Sequence, residues 1–335
     1  MKAVFHSVYG PPDVLRFGEV EKPSPKEDEV LVKVHAVSVN AADWRLLMAR
    51  PFLARLDRGL LRPRHGVLGS DVAGTVEATG SRVTQLRPGD AVFGDLARHG
   101  RSGFAEFVCA REDAWARKPT DLSFEEAAAL PMAGITALQG LRDAGKLQPG
   151  MRVAINGASG GVGTFALQLA RHLRAEVTAV CSTGKLDLVR SLGADHVIDY
   201  TREDFTRRGE RYDLIFGVNG YHPILDYKRA LSPGGRYVMA GGSERQIFEA
   251  LLLGPLVFLT GGKRMAVASA RSDRKDLALL VELVEAGKVR PVIDRRFPLS
   301  GVPDAIRYLV DGHPLGKVII DVVEGGAGTA LPEIL

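Results

Sequence analysis

The sequence predicts an α/β protein whose amino-terminal part is β-rich and whose middle part is a doubly wound parallel sheet. Three observations carry this: apolar/polar alternation through the first 120 residues, strand–helix repeats from about Ser123 onward, and a glycine-rich turn joining an apolar strand to an amphipathic helix. A length of 335 residues suits about two domains, each large enough for its own core. Glycine supplies 38 residues, where usage of about 7 % would give roughly 23, so many backbone positions need tight turns or close approach.

In the β-rich part, residues 29–40 (EVLVKVHAVSVN), 71–78 and 103–110 alternate, with Pro and Gly between the runs. Short twisted strands around a barrel-like core follow from that pattern. Ser123 and Glu126 form a capping box ahead of AAAL. Strands are then expected over 153–156, 177–181, 212–216 and 236–240, with helices over 162–173, 186–192 and 224–231. The stretch MAVASA (265–270) reads as the last strand of this sheet. Leu277, Leu280, Val281 and Val284 share one helical face, and a last strand is expected over 317–322. This tail is too short to fold alone and must rejoin an earlier body.

Lys plus Arg number 44 and Asp plus Glu 40, a net charge of +4, so no nucleic acid is expected as a partner. Cys109 and Cys181 allow one disulfide at most and cannot build a four-thiolate zinc site, which fits a reducing, cytoplasmic location. The amino end lacks the apolar stretch of a leader, and the longest apolar run, 250–260, is interrupted by Gly254 and Pro255. Neither a signal peptide nor a membrane span is expected. Arg45, Arg50, Arg55, Arg58, Arg62 and Arg64 face a single acid, Asp57. They form either a solvated surface or a rim attracting anions.

The sharpest motif is VAINGASGGVGTFALQLA (153–170). Gly157, Gly160, Gly161 and Gly163 let the turn reverse and let backbone approach a pyrophosphate, to which the helix start offers free N–H groups and its positive dipole end. The first glycine of a strict G-x-G-x-x-G is replaced by Ala158, but the strand and helix around the turn still predict dinucleotide binding. The next strand ends in CSTGK rather than in an acid, so Ser182, Thr183 and Lys185 stand where an NAD site would carry Asp or Glu. Two hydroxyls and an ammonium favour the 2′-phosphate of NADPH; alternatively the Ser-Thr-Gly run is only a helix cap.

With MKAV at the start, SVNAADW at 38–44, LGSDVAGTVEATG at 68–80, RPGDAVFG at 87–94, NGASGGVG at 156–163, SLGADHVIDY at 191–200, GGRYVMAGG at 234–242 and GKVII at 316–320, the chain resembles the zinc-free medium-chain dehydrogenase/reductases over essentially its whole length. The likeness is to quinone oxidoreductases and to the reticulon-interacting mitochondrial reductase branch. It implies a GroES-like β-rich catalytic domain formed by 1–128 and 272–335, a Rossmann-type NADPH-binding domain over 129–271, and a cofactor lying in the cleft between them. The zinc-ligand positions of the metal-dependent members correspond here to Asn40, Ser70 and Met132, so no metal is expected.

By the same resemblance, Asn40 and Thr136 lie beside the nicotinamide and substrate as catalytic residues, and Asp43 fixes the loop of Asn40. Ser159, Gly160, Gly161, Val162 and Gly163 wrap the pyrophosphate. Ser182, Thr183, Lys185 and Tyr200 surround the 2′-phosphate, Asn219 and Gly241 line the nicotinamide end, and Lys317 reaches phosphate. Trp44 replaces a tyrosine found in many quinone reductases of the branch, so substrate contacts do not transfer; core packing is the other reading of Trp44. The expected reaction is hydride transfer from NADPH to a quinone or α,β-unsaturated carbonyl, with Asn40 and Thr136 donating hydrogen bonds to the developing oxyanion. Two alternatives stay open: an enoyl-thioester or biosynthetic-intermediate reductase, differing in the substrate loop 44–66, and a non-catalytic NADPH-binding protein of crystallin-like or RNA-binding type. The apolar sheet edge at 265–270 and the resemblance together predict a homodimer.

Overall fold

The computed structural model describes residues 1–50, 59, 62–63, 66–259, 262–268, 270–311 and 314–323. Among them, one compact unit takes 1–129 with 295–311 and 318–323, and a second takes 130–294 with 314–317.

The first unit opens with the hairpin-like pair β1 (Lys2–Phe5) and β2 (Arg16–Glu19). It is organised by β3 (Glu29–Val39), eleven residues long. A short helix α1 (Ala41–Leu47) follows, then β4 (Asp71–Thr79), β5 (Ala91–Asp95), β6 (Phe107–Arg111), β7 (Trp115–Arg117) and helix α2 (Phe124–Ala129). β3 pairs β4 on one side; on the other, its first half pairs β6 and its second half meets a late strand of the chain. The register with β4 shifts at Leu31/Val32 and at Val34/Ala36, irregularities of the kind that bend a strand. The enclosed core includes Val32, Val72, Val92, Phe104 and Trp115, none more than 1 % exposed. The capping box of α2 forms as expected, Ser123 N–H donating to Glu126 and Glu126 N–H to Ser123 Oγ.

The second unit begins with α3 (Pro131–Gln139), which runs into a π turn, and continues with β8 (Arg152–Asn156), α4 (Gly161–His172), β9 (Glu176–Cys181), α5 (Leu186–Ser191) and β10 (His196–Asp199). β11 (Tyr212–Gly217), α6 (Ile224–Ala230), β12 (Leu231–Met239), α7 (Glu244–Phe258), β13 (Arg264–Val267) and α8 (Arg274–Glu285) complete it. All six strands are parallel, in the order β10-β9-β8-β11-β12-β13. The order reverses beside β8, which creates a crevice at the carboxyl ends of β8 and β11. Val153, Ala154 and Ile155 are wholly buried, as a strand covered on both faces must be.

The apolar run interrupted by Gly254 and Pro255 lies in α7, and a Cβ on Gly254 would stand 2.5 Å from Sδ of the flexible Met265 side chain. Two expectations need correction. The helix α8 does not belong with the returning catalytic segment: its Leu280 packs against Gly134 of α3, and its Asp276 pairs with Arg142 at 2.6 Å. The return to the first unit therefore starts near Arg295 rather than at 272. It comprises most of β14 (Ile293–Pro298), α9 (Val302–Asp311) and β15 (Lys317–Asp321) after its first residue, with β15 pairing β3. The face of α8 is Leu277, Leu280, Leu283 and Val284 rather than one containing Val281.

The sheet of the first unit depends on close backbone crossings. A Cβ on Gly94 of β5 would meet Ala114 O at 2.1 Å, whereas one on Gly184 would meet nothing within 4 Å. Gly94→Ala is expected to cost about 1–3 kcal/mol in urea unfolding, and Gly184→Ala less than about 0.5 kcal/mol. Equal midpoints for the two variants would contradict this packing.

Candidate nucleotide and acceptor site

The nucleotide turn is built by sterics. The chain leaves β8 at Gly157 (φ +88°), where a side chain would run into Asn219 N at 2.8 Å. Inside α4, a Cβ on Gly163 would stand 2.2 Å from Gly157 O, so only glycine lets helix and strand approach this closely. Gly160 caps α4 without a side-chain bond, and the first intrahelical bond runs from Thr164 N–H to Gly160 O. The N–H groups of Gly161, Val162 and Gly163 thus have no partner within the helix. Lys317 leans on the turn: Gly161 would place a Cβ 2.8 Å from Lys317 Cδ, and Gly316 N–H donates to Ser159 O at 2.9 Å. Backbone donors, the positive end of a 12-residue helix and the stem of the buried Lys317 meet here, which fits the pyrophosphate of a dinucleotide.

At the other end of the turn, Ser182 and Lys185 are half-buried and Tyr200 is 52 % exposed. The Thr183 hydroxyl is already engaged, donating to Asp199 Oδ2 at 2.5 Å and lying 3.1 Å from Thr201 Oγ1. Thr201 gives Asp199 Oδ1 two further bonds, from its N–H and its hydroxyl. The Thr183 hydroxyl, then Thr201, hold the Asp199 carboxyl below the usual range. An acid does stand at this end, therefore, but on β10 and with both oxygens bonded. Sequence reasoning missed it because only pairing of β9 with β10 brings Asp199 beside the CSTGK turn. Burial lowers the Lys185 pKa, with Asp294 opposing that effect.

At the crevice between β8 and β11, Asn219 N–H donates to Asn156 O at 3.1 Å, and Asn219 Oδ1 accepts from Gly220 N–H at 2.9 Å. Gly241 N–H reaches Gly217 O at 3.2 Å, and a Cβ there would meet Val218 O at 2.4 Å. Thr136, 8 % exposed on α3, donates its hydroxyl hydrogen to Met132 O at 2.6 Å.

In the first unit, Asn40 caps α1 and forms a reciprocal box with Asp43. Asp43 Oδ2 accepts from Asn40 N–H at 2.8 Å and its Oδ1 from Gly69 N–H at 3.2 Å. Asn40 Nδ2 donates to Asp71 Oδ2 at 3.0 Å and to Ser38 O at 3.3 Å. A carboxylate partner fixes which end of the amide carries the hydrogens. Both amide hydrogens of Asn40 and the single hydroxyl hydrogen of Thr136 are therefore committed within the protein. A donor role toward an acceptor oxygen would require these bonds to be exchanged when the ligand binds. Asp71, wholly buried, is the residue that sequence reasoning overlooked; its only trace was the alternation of LGSDVAGT.

Zinc does not fit the residues at the positions matched to its ligands. Ser70 offers a buried neutral hydroxyl, Asn40 a neutral amide and Met132 a thioether, none of them the thiolate, imidazole or carboxylate that zinc takes. Among the described residues, no group of three His, Cys, Asp or Glu is arranged to hold an ion. Trp44 packs partly buried against the core, with Arg50 over its ring at 5.9 Å. Arg55, Arg58, Arg64, Asp57 and His65 lie outside the described residues. Both cysteines are free, and burial pushes each thiol up to about 11. A cavity of about 720 Å³ lies elsewhere on the second unit, lined by Gln139, Arg142, Val267, Arg271 and Asp276 among others and by none of the expected site residues.

A β-rich unit completed by the chain's return, and a 3-2-1-4-5-6 parallel sheet with a glycine turn at its reversal, define a nucleotide-dependent oxidoreductase of two domains. Residues 26–120 match the alcohol dehydrogenase GroES-like domain, and residues 192–320 match a model described as zinc-binding dehydrogenase. The chain is 37 % identical to 2-methylene-furan-3-one reductase of Solanum lycopersicum, over 96 % of this chain and 79 % of the relative. It is 35 % identical to the chloroplastic NADPH-dependent alkenal/one oxidoreductase of Arabidopsis thaliana, over 96 % and 79 %. The quinone oxidoreductase structure from Coxiella burnetii superposes with a TM-score of 0.86 at 30 % identity, over 96 % of this chain and 99 % of that one. The chain belongs to the medium-chain dehydrogenase/reductase family, in its quinone oxidoreductase-like branch.

His222 follows the crevice loop and packs edge-on against Phe205 (5.2 Å) and Tyr227 (5.6 Å). Burial lowers its pKa, more than Asp204 at 3.6 Å raises it. A histidine held neutral in the fold contributes stability above its unfolded pKa of about 6.5, and that stability is lost as pH falls through the lower folded value. His222→Phe is expected to shrink the fall in urea midpoint between about pH 7.5 and pH 5, relative to the parent. An unchanged fall would show that His222 does not carry it.

Proposed function

We propose that this protein is a zinc-independent, NADPH-dependent reductase that passes hydride to a quinone or an α,β-unsaturated carbonyl. The observation that carries the reading is the convergence of the Gly157–Gly163 turn, the α4 amino end and Lys317. Ser159, Gly160, Gly161, Val162, Gly163 and Lys317 would hold the pyrophosphate, while Asn219 and Gly241 would line the nicotinamide end. Ser182, Lys185 and Tyr200 would face the 2′-phosphate, with Thr183 shaping that turn through Asp199. The dihydronicotinamide supplies the hydride when bound.

Asn40 and Thr136 would act in this reading as the donors to the developing oxyanion, with Asp43 fixing the loop of Asn40 through its bonds to Asn40 N–H and Gly69 N–H. With no zinc-ligand set at Asn40, Ser70 and Met132, the acceptor must carry its own activation. A quinone or enone does so by spreading the arriving charge over a conjugated oxygen, with the proton drawn from water. The family relatives that act on alkenals, on a furanone and on quinones, as their names state, support the same class. Two free thiols accord with a reducing compartment, and we place the protein in the cytoplasm.

Following NADPH absorbance tests this directly. Rapid oxidation is expected with 9,10-phenanthrenequinone or a short enone, in the presence of a chelator, and little with cyclohexanone. Lys185→Ala is expected to weaken NADPH about 10- to 150-fold and NADH by less than about twofold. Cyclohexanone matching the best quinone, or equal losses for both cofactors, would overturn the assignment. We also propose a homodimer. The outer edge of β13 has no strand partner among the described residues, and Leu251, Leu252 and Val267 beside it are 59 %, 70 % and 47 % exposed. Light scattering is expected to read twice the 36.1 kDa chain mass; a monomer at micromolar concentration would refute it.

A further inference from the structure

Behind the crevice turns lies a buried polar cluster that the proposed mechanism does not use: Asn156, Tyr227, Tyr237 and Gln246, each at most 4 % exposed. The rings of Tyr227 and Tyr237 stack at 4.3 Å and 14°. Gln246 Nε2 donates to Tyr237 Oη at 2.8 Å and to Tyr227 Oη at 3.3 Å. Asn156 Nδ2 donates to Tyr227 Oη at 3.1 Å, and Tyr227 in turn donates to Gly220 O at 3.4 Å. Gln246 Oε1 is buried and bonds nothing among the described residues.

Each turn that ends a crevice strand rests on one member of this cluster. The Asn156 carbonyl holds Val218 N–H at 2.9 Å and Asn219 N–H at 3.1 Å. Gly220 (φ +91°) lies against the Asn156 amide, where a Cβ would come within 3.2 Å. Gly217 faces Tyr237 Oη, 3.0 Å from its ideal Cβ, and Gly242 (φ +138°) faces Gln246 Oε1 at 2.2 Å by the same measure. Neither loop has a regular ladder of its own past the strand ends, so a dry hydrogen-bonded unit of four side chains sets their height above the sheet. An apolar set of the same volume would avoid the cost of an unpaired buried acceptor. Packing alone does not account for retaining four polar groups here.

We infer that Asn156, Tyr227, Tyr237 and Gln246 form a positioning unit that aligns the 217–220 and 240–243 loops against the nicotinamide half of the cofactor. This rests on the proposed reading of that crevice as the nicotinamide end. The residues touch no reacting atom; they act through Asn219 and Gly241. Tyr227→Phe removes one hydroxyl and keeps the stacked ring, and Gln246→Met keeps the volume while removing both donors.

Amide hydrogen exchange on each variant without cofactor is the primary readout. Exchange at 217–221 and 240–243 is expected to rise about tenfold, with the body of β8 and residues 182–185 unchanged. With NADPH and the best acceptor, kcat is expected to fall about 10- to 100-fold, while affinity for 2′,5′-ADP, which lacks the nicotinamide half, stays within about twofold. Exchange that stays at the parent level in both loops, or that rises uniformly across the sheet, would overturn the inference. So would an unchanged kcat in both variants. If the loops loosen selectively but the parent oxidises NADPH with no acceptor, the proposed reaction fails and the positioning unit stands.

Discussion

The contact between Gly163 and the backbone of Gly157 is the constraint on which the rest of the second unit depends. A single added carbon would stand 2.2 Å from a carbonyl oxygen, far inside van der Waals contact. Because nothing intervenes, α4 starts directly over the end of β8 and its unpaired N–H groups point where an anion can reach them. The same closeness lets Gly316 and Lys317 dock on the turn from a distant part of the chain. An electrostatic site for a diphosphate thus follows from an absence of side-chain volume.

Polar burial in the two units follows one rule with different outcomes. Asn40, Asp43 and Asp71 lie at most 7 % exposed, and their donors and acceptors are turned inward on one another and on Gly69. Such a network fixes the loop that carries Asn40 against Gly69 and Asp71. At the adenosine end, Asp199 keeps its negative charge, and its bonds to Thr183 and Thr201 tie β10 to the turn carrying Ser182 and Lys185.

Much of the fold was legible in the residues, because βα repeats and a glycine turn are local patterns. The parallel sheet, the position of α4 and the capping box at Ser123 all depend on spacings of a few residues. The places where the reading failed depend on long-range partners. The interrupted apolar run did not show that α7 continues through Gly254 and Pro255, with Gly254 lying against Met265 of β13. The face of α8 was visible as a stripe, but nothing in the stripe says that Gly134 would receive Leu280. That contact moved the domain return from 272 to near 295.

The sequence by itself determined the class of fold: a strand, a glycine turn and a helix set within repeated βα units predict a nucleotide-binding type of parallel sheet, since the requirement is steric and local. The absence of zinc-ligand chemistry at Asn40, Ser70 and Met132 was likewise a matter of side-chain identity. Only the tertiary structure decided which partners the site hydrogens meet. Asn40 and Thr136 read as donors in a string of letters, and become committed groups once Asp71, Ser38 and Met132 close on them. The cluster of Asn156, Tyr227, Tyr237 and Gln246 is drawn from two strands and two helices, separated by up to 90 residues, and exists only where parallel pairing stacks their ends. Hydrogen bonds are short and directional, so their partners are settled by folding in three dimensions and not by position along the chain.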